Sequence, residues 1–308
     1  MAFDGITIAN IVKELNHVLT GGRIYKIAQP ETDELLLTIK NNSSQYRLLL
    51  SADASLPLIY LTDKNKQSPM TAPGFCMLLR KHLQNARITD ITQPGLERIV
   101  QIHVEHLNEM GDPCQKTLVI EIMGKHSNII FCNADNMIID SIKHISGMVS
   151  SVREVLPGRE YFIPMTQEKL NPLSFIDEKS KQDFIQKLSA MPMPVYKALY
   201  NSFTGFSPII SQEICFRAGI NADMPANALD SSSRERLYAV FCAVIEKITG
   251  GFFEPNIIYD TIHDKKSPLE FSSLPLTLYA DKESVRFDTI SEVLERYYAE
   301  KNTLTRIR

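Results

Sequence analysis

The chain has 308 residues, 44% of them hydrophobic and 22% charged, with a formal net charge of −3, the balance of a soluble globular protein with room for two or three compact units. Charge is flat along it: +2 over residues 1–100, −2 over 101–200 and −3 over the remainder. There is therefore no basic arm or tail, which argues against a general nucleic-acid binder and confines any such contact to local, shape-specific patches.

The opening MAFDGITIAN has neither a charged n-region nor an apolar h-region, and nowhere do eighteen apolar residues run together. The expectation is a cytoplasmic protein with no membrane contact. A helix is predicted over 7–19, then strands over 23–28, 34–40 and 46–50. Phe75, Leu78, Leu79 and Leu83 recur at helical spacing and predict a helix over 74–85, whose outer face carries Arg80, Lys81 and Gln84. Further strands are predicted over 99–106, 117–123, 128–132 and 137–142. Short strands punctuated by Gly, Asn and Asp, with only two helices, describe an α+β domain on a largely antiparallel sheet over 1–170.

From 171 to 252 the periodicity is helical, with Phe184, Leu188, Tyr196, Leu199, Tyr200 and Phe203 followed by Thr204-Gly205-Phe206-Ser207-Pro208. Ser207 suits an N-cap and Pro208 the first helical position, so an all-helical helix-hairpin-helix domain is predicted. The turn either packs or aims its N–H groups at a phosphate. Over 253–308, strand-like sequence at 257–279 gives way to a helix at 289–298 and a polar, helix-like ending.

Asp4 precedes the first helix, where the macrodipole stabilises an acid without any further role. Arg98 shares strand parity with Val100, Ile102 and Val104, which face inward. It must either pair with a carboxylate as structural glue or lie at the open end of the sheet with its guanidinium available. The loop Gly124-Lys125-His126-Ser127-Asn128 between two apolar strands concentrates donors at its tip, and Lys143 and His144 lie in a neighbouring turn. Arg153 and Arg159 extend that rim while Glu154 and Glu160 offset their charge. His103 and His106 lack a helical HExxH context, and no CxxC, GxSxG, phosphate-binding loop or GxGxxG occurs, so neither metal, cofactor nor small-molecule substrate is expected. Five scattered cysteines in largely apolar surroundings read as reduced, buried thiols.

The segments MAFDGITIANIVKEL (1–15), GGRIYKIAQP (21–30), LLLSADAS (48–55), PGFCMLLRKHLQNARITDITQPGLERIV (73–100), EIMGKHSNII (121–130), DSIKHIS (140–146) and SVREVLPGREY (151–161) together resemble the N-terminal region of the NFACT family. These are the ribosome quality-control factors called RqcH in bacteria and NEMF in animals, once labelled fibronectin-binding protein A. The likeness thins through GFSPIISQEICFRAGI (205–220) and is weak beyond about 253.

The resemblance implies an N-terminal fold like that of the formamidopyrimidine-DNA glycosylases, and a chain that stops before a coiled coil. Ala2 and Phe3 stand where those glycosylases have their proline nucleophile and glutamate acid, so no enzyme of that kind is expected. It also implies partners: transfer RNA, alanine-charged in bacteria, the large ribosomal subunit with its stalled peptidyl-transfer RNA, and ribosomal proteins. The RNA-binding residues it implies are Asp4, Arg80, Lys81, Glu97, Arg98, Lys125, His126, Asn128 and Lys143, with Glu97 standing where the family pattern usually has Asp. The competing reading is a scaffold that docks protein partners, which the flat charge profile favours.

Overall fold

The computed structural model describes residues 3–164, 169–175 and 177–306, with side chains through residue 302. It comprises two compact units. One is made of Ile11–Pro94 and Arg98–Thr166; the other gathers Met1–Asn10, Gly95–Glu97 and Gln167–Arg308.

The first unit is a nine-stranded, wholly antiparallel sheet in the order β4-β3-β2-β1-β5-β6-β7-β8-β9. The strands are β1 (Arg23–Glu31), β2 (Glu34–Asn41), β3 (Ser44–Ser51), β4 (Leu58–Thr62), β5 (Arg87–Thr92), β6 (Ile99–Leu107), β7 (Pro113–Glu121), β8 (Asn128–Asn133) and β9 (Ile138–Ser141). Helix α1 (Gly5–Leu19) begins in the other unit, and its later turns belong here. Asn16 fixes those turns to β5, its amide nitrogen donating to the Ile91 carbonyl and its oxygen accepting from the Ile91 N–H. Helix α2 (Gly74–Leu83) packs on β1 and β6 through Phe75, Cys76, Leu79 and Leu83. The opposite side of the sheet carries a second core of Ile99, Val119, Ile130, Ile138, Val155 and Tyr161.

The α+β, antiparallel reading holds, and the structure adds two strands. The sequence pattern gave no sign of β5 because a register shift between Ile88 and Asp90 breaks the alternation on which such a reading depends. Five-residue β4, LIYLT between Pro57 and Asp63, is short and shows no apolar–polar alternation. Helix α2 ends before 85 because Gln84 is already extended, at φ −60° and ψ 121°, and Asn85, at φ +64°, donates its N–H to the Ile24 carbonyl of β1 and not to the helix.

The second unit holds α3 (Glu178–Ser189), α4 (Val195–Ser202), α5 (Pro208–Arg217) and α6 (Ser231–Thr249). Asp177, Ser207 and Asp230 cap α3, α5 and α6 by accepting from the N–H groups of Ser180, Ile210 and Ser233. Phe184, Phe203 and Phe241 interlock at its centre, with ring centroids 4.8 Å apart in two of the three pairs. Strands β10 (Asn256–Ile262), β11 (Lys265–Ser272) and β12 (Glu283–Arg286) form a sheet in the order β11-β10-β12, with α7 (Ile290–Arg306) against β10 and β11. The predicted strand region 257–279 is thus a hairpin followed by a short 3-10 turn at Thr277–Tyr279.

Candidate functional site

Arg98 lies one residue before β6, half-buried at the end of the sheet, where its backbone carbonyl accepts from Ile122 N–H. Its guanidinium has no ion pair among the described residues. Pairing with a carboxylate, the first of the two roles open to it, is not seen among the described residues. Arg98 lines a groove of about 360 Å³ together with Lys125, His126, Asn128, Lys143 and Arg153. No acidic side chain lines this groove among the described residues.

The loops around the groove are held from within. After β7 the chain makes a 3-10 turn at Gly124–His126, opened by Gly124 at φ +57°, which leaves Lys125 and His126 exposed at the tip. Ser127 Oγ accepts from Met123 N–H at 2.8 Å and closes the turn. Asn128 differs from the outward contact expected of it. It is buried, its amide nitrogen donates to the Lys143 carbonyl at 3.0 Å, and its oxygen accepts from the N–H groups of Ile129 and Lys143. Its chemistry is to hold the Lys143 turn, with Ser141 Oγ donating to the same carbonyl at 2.7 Å. Lys143 Nζ in turn donates to the Ala52 carbonyl at 2.6 Å, which fixes where its charge stands.

Beneath lies a carboxylate that no motif in the sequence marks. Glu121, 0% exposed, pairs one oxygen with Arg153 and accepts from Tyr161 O–H at 2.9 Å with the other. Arg153 is thus neutralised from below, while Arg159 pairs with Glu154 at 2.8 Å, so neither extends the free positive rim. Burial, reinforced by the Glu121 charge, pushes the Tyr161 phenol well above its ordinary range and Cys132 up to about 12. The sequence signal was a lone acid in the apolar run LVIEIM at 118–123.

The other expected residues lie elsewhere. Arg80 donates through Nε to the Ile27 carbonyl at 2.9 Å, and Lys81 lines a different concavity. Asp4 belongs to the second unit and is buried there. Its Oδ1 caps α1, accepting from the N–H groups of Ile6 and Thr7, and its Oδ2 accepts from Ser207 O–H at 2.7 Å. Burial raises its pKa, against the opposing effect of those hydrogen bonds. Glu97, half-buried in the same unit, also has an interaction partner.

The hairpin turn at 204–207 packs. Gly205 accepts from Gly5 N–H at 3.0 Å, and a Cβ on Gly5 would stand 2.0 Å from the Leu96 carbonyl oxygen. With Phe206 and Ser207 buried as well, the turn is closed against its own unit, not presented to a phosphate.

The NFACT N-terminal and middle domains match residues 4–308. The chain belongs to the NFACT family. It is 38% identical over 309 residues to the Rqc2 homolog RqcH of Bacillus subtilis, covering 100% of this chain and 50% of that protein, and 45% identical over 180 residues to RqcH of Streptococcus pneumoniae, covering 58% and 33%. The chain therefore spans about half the length of the first of these relatives and a third of the second. The N-terminal part of the fibronectin/fibrinogen-binding protein from Streptococcus suis overlays it with a TM-score of 0.74 at 31% identity, covering 97% of this chain and 99% of that one. Among the described residues no helix is long and apolar enough to cross a membrane, and no group of three His, Cys, Asp or Glu is arranged to hold a metal ion.

Proposed function

We propose that this NFACT chain is the N-terminal body of a ribosome quality-control factor and that its Arg98 groove holds transfer RNA. The factor would act on the obstructed large ribosomal subunit, positioning alanine-charged transfer RNA so that the stalled nascent chain is extended without a template. Peptide-bond chemistry belongs to the ribosome in this reading, and the chain performs no covalent step. The reading places the protein in the cytoplasm.

The observation that carries it is an unpaired Arg98 in a groove whose lining is basic or neutral. Arg98, Lys125 and Lys143 are three cations without a carboxylate partner in the described structure, and a guanidinium suits bidentate phosphate or base-edge contacts. Three neutralised phosphates on a single-stranded loop give a slope of log affinity against log salt of about −2. Asn128 and the Glu121–Arg153–Tyr161 cluster shape the groove and need not touch RNA.

The test is binding of labelled transfer RNA across a salt series, beside an Arg98→Glu variant. Loss of affinity with a slope shallower by about 1 supports the reading. Unchanged binding, together with unchanged tailing when the same variant is placed in the full-length factor, rejects it. A second reading has its own observation: Met148, Val149 and Val152 stand exposed on the loop beside the groove, as a protein-docking face would. Binding to ribosomal proteins that is indifferent to salt and abolished by Val149→Asp favours that scaffold role.

A further inference from the structure

Lys81 opens onto a second concavity of the β-sheet unit, about 440 Å³ in volume, with Arg23, His82, Arg87, Glu105 and His106 among its lining. Behind His106 stands Lys116, only 9% exposed and without a carboxylate partner among the described residues. Its ammonium contacts His106 Nε2 at 2.9 Å and Cys114 Sγ at 3.1 Å. His106 Nδ1 lies 3.2 Å from the Leu107 carbonyl, so the proton sits on Nδ1 and Nε2 accepts from Lys116. The His82 ring meets His106 edge-on at 6.2 Å.

The bland account is that these cations serve the C-terminus of α2, whose carbonyls carry about half a negative charge. That is too little. Four permanent cations, Arg23, Lys81, Arg87 and Lys116, face that half charge, Glu105, and the exposed Glu109 near His82. A buried ammonium held only by a neutral imidazole and a thiol is an unbalanced charge, which an arriving anion would stabilise.

What distinguishes the anion is Tyr25. It follows Arg23 on β1, is 49% exposed, and has Lys40 over its ring at 3.5 Å from the centroid. We propose that this corner binds single-stranded RNA, with a backbone phosphate among Arg23, Lys81 and Arg87 and a base on the open side of Tyr25. The Arg98 groove is not needed for this contact.

Binding has a pH signature. Burial, with Lys116 and the neighbouring basic groups, lowers the pKa of His82 and His106, and Cys114, Glu105 and Glu109 complete the ionisable groups facing them. A bound phosphate raises both pKa values, so protons are taken up and affinity increases as pH falls from about 8 to 6.

The experiment is fluorescence anisotropy of a labelled ten-nucleotide uridine oligomer with the 308-residue chain at pH 6 and pH 8. The comparison set is Lys81→Glu/Arg87→Glu, its milder form Lys81→Ala/Arg87→Ala, Tyr25→Ala and Arg98→Glu. The expected result is tenfold or greater loss in the charge-reversed variant, graded loss in the alanine pair, and about tenfold loss for Tyr25→Ala, the scale of one stacked base. Stronger binding at pH 6 should disappear with the charge reversal. Unchanged binding in both charge variants overturns the site. Equal competition by a polyglutamate of matched charge, or no effect of Tyr25→Ala, overturns the RNA assignment. Loss confined to Arg98→Glu also overturns this site, while leaving the transfer-RNA reading of the other groove standing.

Discussion

Glu121→Gln tests whether the groove is held from below. The substitution keeps shape and volume but removes the charge opposite Arg153, whose side chain is 10% exposed. Removing one partner of a buried ion pair costs about 3–5 kcal/mol. Because Arg153 retains a slight opening to solvent and its bond to the Phe162 carbonyl, we expect the lower end, about 3 kcal/mol. The Tyr161 hydroxyl keeps an acceptor in Gln, though a neutral one. With a urea m-value of about 2 kcal/mol/M, the midpoint falls by about 1.5 M. Since the chain has two units, circular dichroism should be paired with hydrogen exchange at the β7 and β8 amides, which report this unit alone. Adding Arg153→Met removes the stranded charge and should recover most of the loss. A Glu121→Gln variant within about 0.5 kcal/mol of the parent, or single-variant costs that simply add in the double variant, would refute the coupling.

Asn128→Ala leaves Lys143 N–H without its acceptor and should cost about 1–3 kcal/mol, with transfer-RNA affinity falling as the Lys143 turn loosens; unfolding and anisotropy measure the two effects. Gly5→Ala pushes a Cβ to 2.0 Å from the Leu96 carbonyl oxygen and 2.8 Å from Gly205 Cα, backbone atoms that cannot step aside, and should destabilise the helical unit by about 3 kcal/mol in thermal unfolding. Asp4 is a buried acid with a raised pKa: the folded state holds its proton more tightly than the unfolded chain, so its contribution falls as pH rises from the ordinary aspartate range through the raised value. Asp4→Asn can still cap α1 and bond Ser207, so it should flatten that part of the stability–pH curve, while Asp4→Ala lowers stability at every pH.

The sequence made α2, the hairpin turn and its Ser207 cap legible because each is written in neighbouring residues. What stayed hidden depends on pairs far apart in the chain: Glu121 with Arg153 and Tyr161, 32 and 40 residues on, and Asp4 with Ser207, 203 residues on. Asp4 illustrates the limit. Its cap position was readable; that its second oxygen is occupied by a distant hydroxyl was not. Helical spacing also presents the basic face of α2 as one surface, yet Arg80 bonds the Ile27 carbonyl while Lys81 opens onto a pocket with Arg23 and Arg87. Spacing along a helix gives direction, but only packing decides which neighbours each charge meets.

The helical unit is assembled from three stretches of chain, and this governs when it can be completed during synthesis. Ile6 and Leu96 are built into the same core as Phe203 and Phe241, and Gly5 bonds Gly205, so Gly5 and Ile6 wait about two hundred codons after their own synthesis for these partners. Strands β1–β4, paired in succession, have no such wait and can form a hairpin stack first. A fragment begun at residue 171 would lack Ile6 and Leu96, leaving a hole in the aromatic core.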